Sequence, residues 1–122
     1  MAQQEHNFQV DYIEFPATDI AATKRFYSQV FGWNFQDYGP DYTSFHDGRL
    51  AGGFNTAAQT SGAGGEKTRG TLIVIYATSL EETYAKVTEA GGKIVREIFG
   101  FPGGRRFHFS DPNGNELAVW SE

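Results

Sequence analysis

The sequence predicts an α+β protein built from two βαβββ modules in one domain of 122 residues. Three observations carry that prediction. Landmarks recur at an offset of 60: Thr18 with Thr78, Asp19 with Ser79, Ile20 with Leu80, and Gly32 with Gly92. The stretch TAAQTSGAGGEKTRG, residues 56–70, is small, polar, glycine-rich and without periodicity, and so reads as a linker between two halves. Each half then shows an alternating run, a helical stripe and three further short runs bounded by turn residues. Module 1 is expected over about 8–55 and module 2 over about 71–120.

The elements follow in order. Phe8 to Ala17 alternates as a strand, with Ile13, Phe15 and Ala17 on one face and Tyr12, Glu14 and Pro16 on the other. Asp19 is an N-cap, and Ile20, Phe26, Tyr27, Val30 and Phe31 form an apolar stripe ending at Gly32, which predicts a helix over 20–31. Three strands are expected at Trp33–Tyr38, Tyr42–His46 and Arg49–Asn55, divided by Gly39-Pro40-Asp41 and Asp47-Gly48. After the linker, Thr71–Ala77 reads as a strand, with Ile73, Ile75 and Ala77 on its helix-facing side by the repeat offset. Ser79 and Glu82 make a capping box before a helix over 80–90. Lys93–Phe99, Arg105–Ser110 and Asn115–Trp120 complete the second module, with turns at Phe101–Gly104 and Asp111–Gly114.

Composition excludes several functions. There is no cysteine, so disulfides, thiolate zinc sites and cysteine nucleophiles are absent together. The net charge of −5, with no basic cluster denser than Arg105-Arg106, argues against a nucleic-acid partner. The polar start Met1–Asn7 lacks the pattern of a targeting peptide, and no run approaches the ~18 apolar residues of a membrane span; a cytoplasmic protein without membrane contact is expected. The glycines of 56–70 do not suit a phosphate cradle, because a strand rather than a helix follows them.

Two segments, FPATDIAATKRFYSQVFGW (Phe15–Trp33) and FHFSDPNGNELAVW (Phe107–Trp120), one in each module, resemble the vicinal oxygen chelate superfamily of glyoxalase I, bleomycin-resistance proteins and extradiol dioxygenases. The resemblance covers nearly the whole chain. It implies a curved mixed eight-stranded sheet forming a cup, helices on the outer face, and a homodimer in which modules pair within or between chains. It also places the functional groups on the cup face of each strand: Tyr12, Glu14 and Pro16 on the first, Leu72, Val74 and Tyr76 on the fifth, Glu116, Ala118 and Trp120 on the eighth.

Metal-dependent members of that superfamily carry a histidine seven residues before the aspartate that opens the first helix, where this chain has Tyr12. Their second ligand falls at Leu72, or at Thr71 one residue earlier. Their strand 4 glutamate falls within Gly52-Gly53-Phe54-Asn55, and their last one, four residues after Gly114, at Ala118. None of these is a sound ligand, so no metal and no other cofactor is expected.

Among the remaining polar residues, His6 belongs to a solvated terminus and His46 to the surface beside a turn. His108 alternates with Phe107 and Phe109 and shares its face with Arg106, a residue suited either to a ligand carboxylate or to a rim salt bridge. Glu116 serves either the cup or its own turn. Glu14 is the candidate catalytic or ligand-binding group, because a carboxylate aimed into a ring-lined cup costs stability unless something pairs with it; Arg106 is the structural alternative. Two functions follow. The favoured one is a metal-free module that binds a small molecule with Tyr12, Glu14, Leu72, Val74, Tyr76, Arg106, His108, Glu116, Ala118 and Trp120. The alternative is a lyase, isomerase or dioxygenase-type enzyme using Glu14 as general base, or a divalent metal held by Glu14, His46, His108 and Glu116. A third, a purely structural dimer partner, requires a cup filled by its own side chains.

Overall fold

The computed structural model describes residues 7, 8, 10–56 and 71–122, which form eight strands and two helices. Module 1 runs β1 (Tyr12–Pro16), α1 (Ile20–Phe31), β2 (Asn34–Asp37), β3 (Tyr42–His46) and β4 (Ala51–Asn55). Module 2 runs β5 (Ile73–Tyr76), α2 (Leu80–Glu89), β6 (Lys93–Phe101), β7 (Gly104–Ser110) and β8 (Glu116–Ser121). The sheet orders are β1-β4-β3-β2 and β5-β8-β7-β6, so the duplication read from the landmarks is a duplication of topology. In each sheet the first strand pairs in parallel with the last, and the other pairs are antiparallel. The linker at 56–70 and His6 lie, Thr56 excepted, outside the described residues.

The first strand is shorter than its alternation suggests. Its parallel partner begins at Ala51, opposite Tyr12, and residues before Tyr12 have no ladder to join. Phe8 also takes a φ of 71°, which is not a strand conformation.

Local capping fixes the helices. The Asp19 carboxylate accepts from the Ala22 N–H at 3.0 Å, and Gly32 closes α1 at φ 74°. Ser79 Oγ accepts from the Glu82 N–H at 3.3 Å to start α2. The apolar stripe of α1 then packs on the core faces of both sheets. Tyr27 stacks on Trp33 with centroids 4.6 Å apart and lies 5.1 Å from Phe54 of β4, while Phe26 and Phe31 meet Phe109 of β7 at 5.8 and 6.1 Å. From α2, Leu80 and Val87 are buried and Tyr84 packs on Phe107 at 5.1 Å. The result is one core shared by two modules. The strands divide into two four-stranded sheets that do not close on each other, each with helix on the face opposite its cup face.

The turn Asp111–Gly114 ties the modules together. Asn113 Oδ1 accepts from the backbone N–H groups of Thr18 and Asp19 and from Thr23 Oγ, while Asn115 Nδ2 donates to the Pro16 carbonyl at 2.9 Å. The Asp111 carboxylate takes the Tyr27 hydroxyl at 2.9 Å and the N–H groups of Asn113 and Asn115 at 2.9 and 2.8 Å. A start signal in module 1 is thus completed by a turn about ninety residues away. Among the described residues no helix is long and apolar enough to cross a membrane.

Candidate ligand site on the cup faces

On module 2 the strand register places Val74, Ala118, His108 and Arg96 in one row across the sheet, and Tyr76, Trp120, Arg106 and Phe99 in the next. Arg96 and Phe99 are three apart yet share a face, because β6 shifts register between them; such an irregularity re-aims a side chain without breaking the ladder. Over these rows lies an open cleft of about 360 Å³ lined by Val74, Phe101, Pro102, Gly103, Arg106 and Trp120. Trp120 meets Tyr76 edge-on at 5.1 Å and Phe101 at 6.2 Å. The Arg106 guanidinium lies 5.4 Å from the Phe99 ring and 5.6 Å from Phe101, and that of Arg96 lies 3.6 Å over Phe99.

At the other end of the same face, His108 Nδ1 and Glu116 Oε2 are 2.8 Å apart. His108 is only 8% exposed, and its Nε2 is enclosed without a hydrogen-bond partner. Ala118 is fully covered between its Val74 and His108 neighbours, so it supplies floor rather than contact surface. Leu72 is half-buried and precedes β5.

The module 1 cup face has a different chemistry. The Tyr12 and Tyr42 hydroxyls hydrogen-bond to each other over Gly53, where a Cβ would lie 1.9 Å from the Tyr42 oxygen. Burial, then the Tyr12 hydroxyl and the Glu14 carboxylate, push the Tyr42 phenol well above its ordinary range. Glu14 itself is exposed. His46 shares the face of Tyr42, but its Nδ1 accepts from the Gly48 N–H at 3.0 Å, the turn-side role expected of it.

The candidate residues therefore fall into two groups within one chain. Tyr12 and Glu14 stand together on one sheet, and Val74, Tyr76, Arg106, His108, Glu116, Ala118 and Trp120 on the other, with Leu72 at its margin. Arg106 is not the partner of Glu14 in this arrangement; its neighbours are Phe99 and Phe101. The four-donor metal set does not form either, since Glu14 and His46 lie on the first sheet and His108 and Glu116 on the second. Among the described residues no three His, Asp or Glu side chains gather where they would hold a metal. The positions at which the family's metal would bind do not fit one: Tyr12 is engaged by Tyr42, Gly52 and Gly53 have no side chain, and Ala118 is a buried methyl. Sequence reading missed Tyr42, Phe99, Phe101 and Pro102. Tyr42 was detectable by parity on its strand, whereas the others depend on the irregular register of β6.

A duplicated βαβββ unit with an open, ring-lined face on each sheet defines a class of two-module cup proteins. The chain belongs to the Glyoxalase/Bleomycin resistance protein/Dioxygenase superfamily, whose sequence profile matches residues 9–119. Among solved structures it is similar to a glyoxalase-related enzyme from Fulvimarina pelagi, with TM-score 0.76 and 22% identity over 94% of this chain and 88% of that one. The fosfomycin resistance protein FosX from Mesorhizobium loti superposes with TM-score 0.71 at 14% identity, covering 94% and 92%. Lactoylglutathione lyase from Agrobacterium tumefaciens gives 0.68 at 17% identity, covering 93% of each chain. At these identities the likeness is one of fold. No curated protein is a significant sequence match.

Proposed function

We propose that this protein is a cytoplasmic small-molecule binding protein that works without a metal, its ligand held in a cup completed by a second copy of the chain. The observation that carries the reading is the cleft of about 360 Å³ on the module 2 face, with apolar and aromatic walls and one cation. That volume lies at the lower end of the range, about 300–1,000 Å³, of small-molecule sites. The donor set at the inherited metal positions supports a metal-free site. The shared core supports the second copy. Each sheet turns its cup face away from that core, leaving Tyr12, Val74 and Tyr76 exposed by 45%, 42% and 47%. A two-fold pairing lets module 1 of one copy cover module 2 of the other and shields the edge strands β1 and β5. Neither nucleic acid nor membrane enters this reading, given the charge of −5.

A second reading, an enzyme of the lyase, isomerase or dioxygenase type, has one observation behind it: Glu116 holds the His108 imidazole through Nδ1 at 2.8 Å, the carboxylate–histidine pairing that orients a general base. Glu14, in contact with the raised Tyr42 phenol, is the other candidate base. One experiment separates the two. The protein is screened against a panel of neutral and charged small organic molecules by thermal shift, hits are confirmed by calorimetry, and each hit is then incubated with the protein and analysed for chemical change. Saturable binding with hits recovered intact supports the binding protein. Conversion of a hit that is lost in His108→Gln or Glu14→Gln overturns it in favour of the enzyme, and no saturable hit overturns both.

A further inference from the structure

Four carboxylates of module 2 that stand on or beside the sheet are committed elsewhere. Glu81 pairs with Arg105 at 2.6 Å, Glu97 accepts from Tyr84 at 2.7 Å, Glu116 faces His108 at 2.8 Å, and Glu122 accepts from Tyr76 at 2.9 Å. Arg106 receives none of them. Its side chain is half-buried and lines the cleft, and its Nε is enclosed without a hydrogen-bond partner. A guanidinium laid over the rings of Phe99 and Phe101 has given up part of its hydration, and those rings return only a fraction of it. An oxyanion returns the rest, since the planar fork matches a carboxylate through two parallel hydrogen bonds. Arg96, also over Phe99, adds a second positive charge to the same face. The remaining walls, Val74, Phe101, Pro102 and Trp120, are apolar and suit a flat hydrocarbon body.

We infer that the module 2 cleft takes a planar aromatic carboxylate, its carboxylate on Arg106 and its ring against Phe101 and Trp120. The inference rests on the small-molecule reading above and gives it a ligand class.

The test compares 1-naphthoate with 1-naphthamide, which keeps the ring and removes the charge, by calorimetry and by quenching of tryptophan fluorescence. The wild-type protein should bind naphthoate at least about tenfold more tightly than naphthamide, with the preference falling as salt rises. Arg106→Gln should lose the preference for naphthoate over naphthamide. Arg106→Lys, which keeps the charge but not the fork, should reduce it and serves as the reporter if Arg106→Gln does not fold. Equal affinity of the wild type for the two probes, or a preference that survives both substitutions, overturns the inference while leaving small-molecule binding in place. Absence of binding by either probe at about 2 mM overturns it too, and the earlier panel then decides the broader reading by itself. An affinity for naphthoate that appears only in Glu14→Gln also overturns it, because Glu14 of a second copy would then be the occupant of Arg106.

Discussion

Tyr27 shows how one side chain answers to two sheets. Its ring is fully buried among Trp33 and Phe54, and its hydroxyl reaches Asp111 in the other module at 2.9 Å. Burial first, and then the Asp111 charge, hold the phenol well above its ordinary range. Tyr27→Phe should therefore cost about 1.5–3 kcal/mol, the worth of a hydrogen bond to a charged group, measured by urea unfolding with the slope unchanged. The same group, with Tyr42, should weaken the fold at alkaline pH. Above pH 10.0, the ordinary tyrosine value, the unfolded chain loses protons that folded Tyr27 and Tyr42 retain, so stability should fall as pH rises from there. Absorbance at alkaline pH should show these two tyrosines ionising later than the exposed ones. The adjacent glycines 52 and 53 differ in a similar, testable way. A Cβ at Gly52 would meet the Ile13 carbonyl at 2.1 Å, whereas at Gly53 it would meet the end of the Tyr42 side chain rather than backbone. Gly52→Ala should destabilise by about 3 kcal/mol or more, as overpacking against backbone does. Gly53→Ala should fold and break the tyrosine pair instead, which the alkaline titration would register as Tyr42 ionising earlier.

Among the elements, α1 depends most on a distant one. Its own cap, Asp19, was legible three residues before the bond it makes, but Asn113 supplies a second cap from the far end of the sequence. Asn113→Ala should cost about 2–4 kcal/mol, since it takes the acceptor from the Thr18 and Asp19 N–H groups and the Nδ2 donor from the buried Thr23 Oγ. Asp19→Ala, an exposed local cap, should cost about 1 kcal/mol. Finding the two equal by denaturant titration would mean that the inter-module cap contributes no more than an ordinary one. Strand β6 carries the other lesson at this scale. Alternation from Lys93 predicts the wrong companions for Arg106, because two register shifts bring Arg96 and Phe99 to the same side.

For the whole molecule the testable consequence is association. On the proposed pairing, the two cup faces turned away from a common core are two half-sites, and light scattering at tens of micromolar should give the mass of a two-chain particle rather than of one 13.5 kDa chain. Elemental analysis of the purified protein should find well under one equivalent of zinc, nickel, manganese or iron per chain; about one equivalent would remove the metal-free reading.

The sequence by itself determined the duplicated βαβββ order, the limits of α1, and which face of β1, β5 and β8 meets the core, because these follow from local periodicity, caps and turn residues. The family resemblance then implies that Tyr12, Leu72 and Ala118 stand where metal-dependent relatives carry donors. What only the tertiary structure decided is who stands beside whom. That Tyr42 crosses Gly53 to Tyr12, that Phe101 joins Trp120 around Arg106, and that Glu14 and Arg106 occupy separate sheets are facts about pairing register and module docking. Such contacts are chosen by the packing of side chains distant in sequence, and no local pattern of apolar and polar residues encodes them.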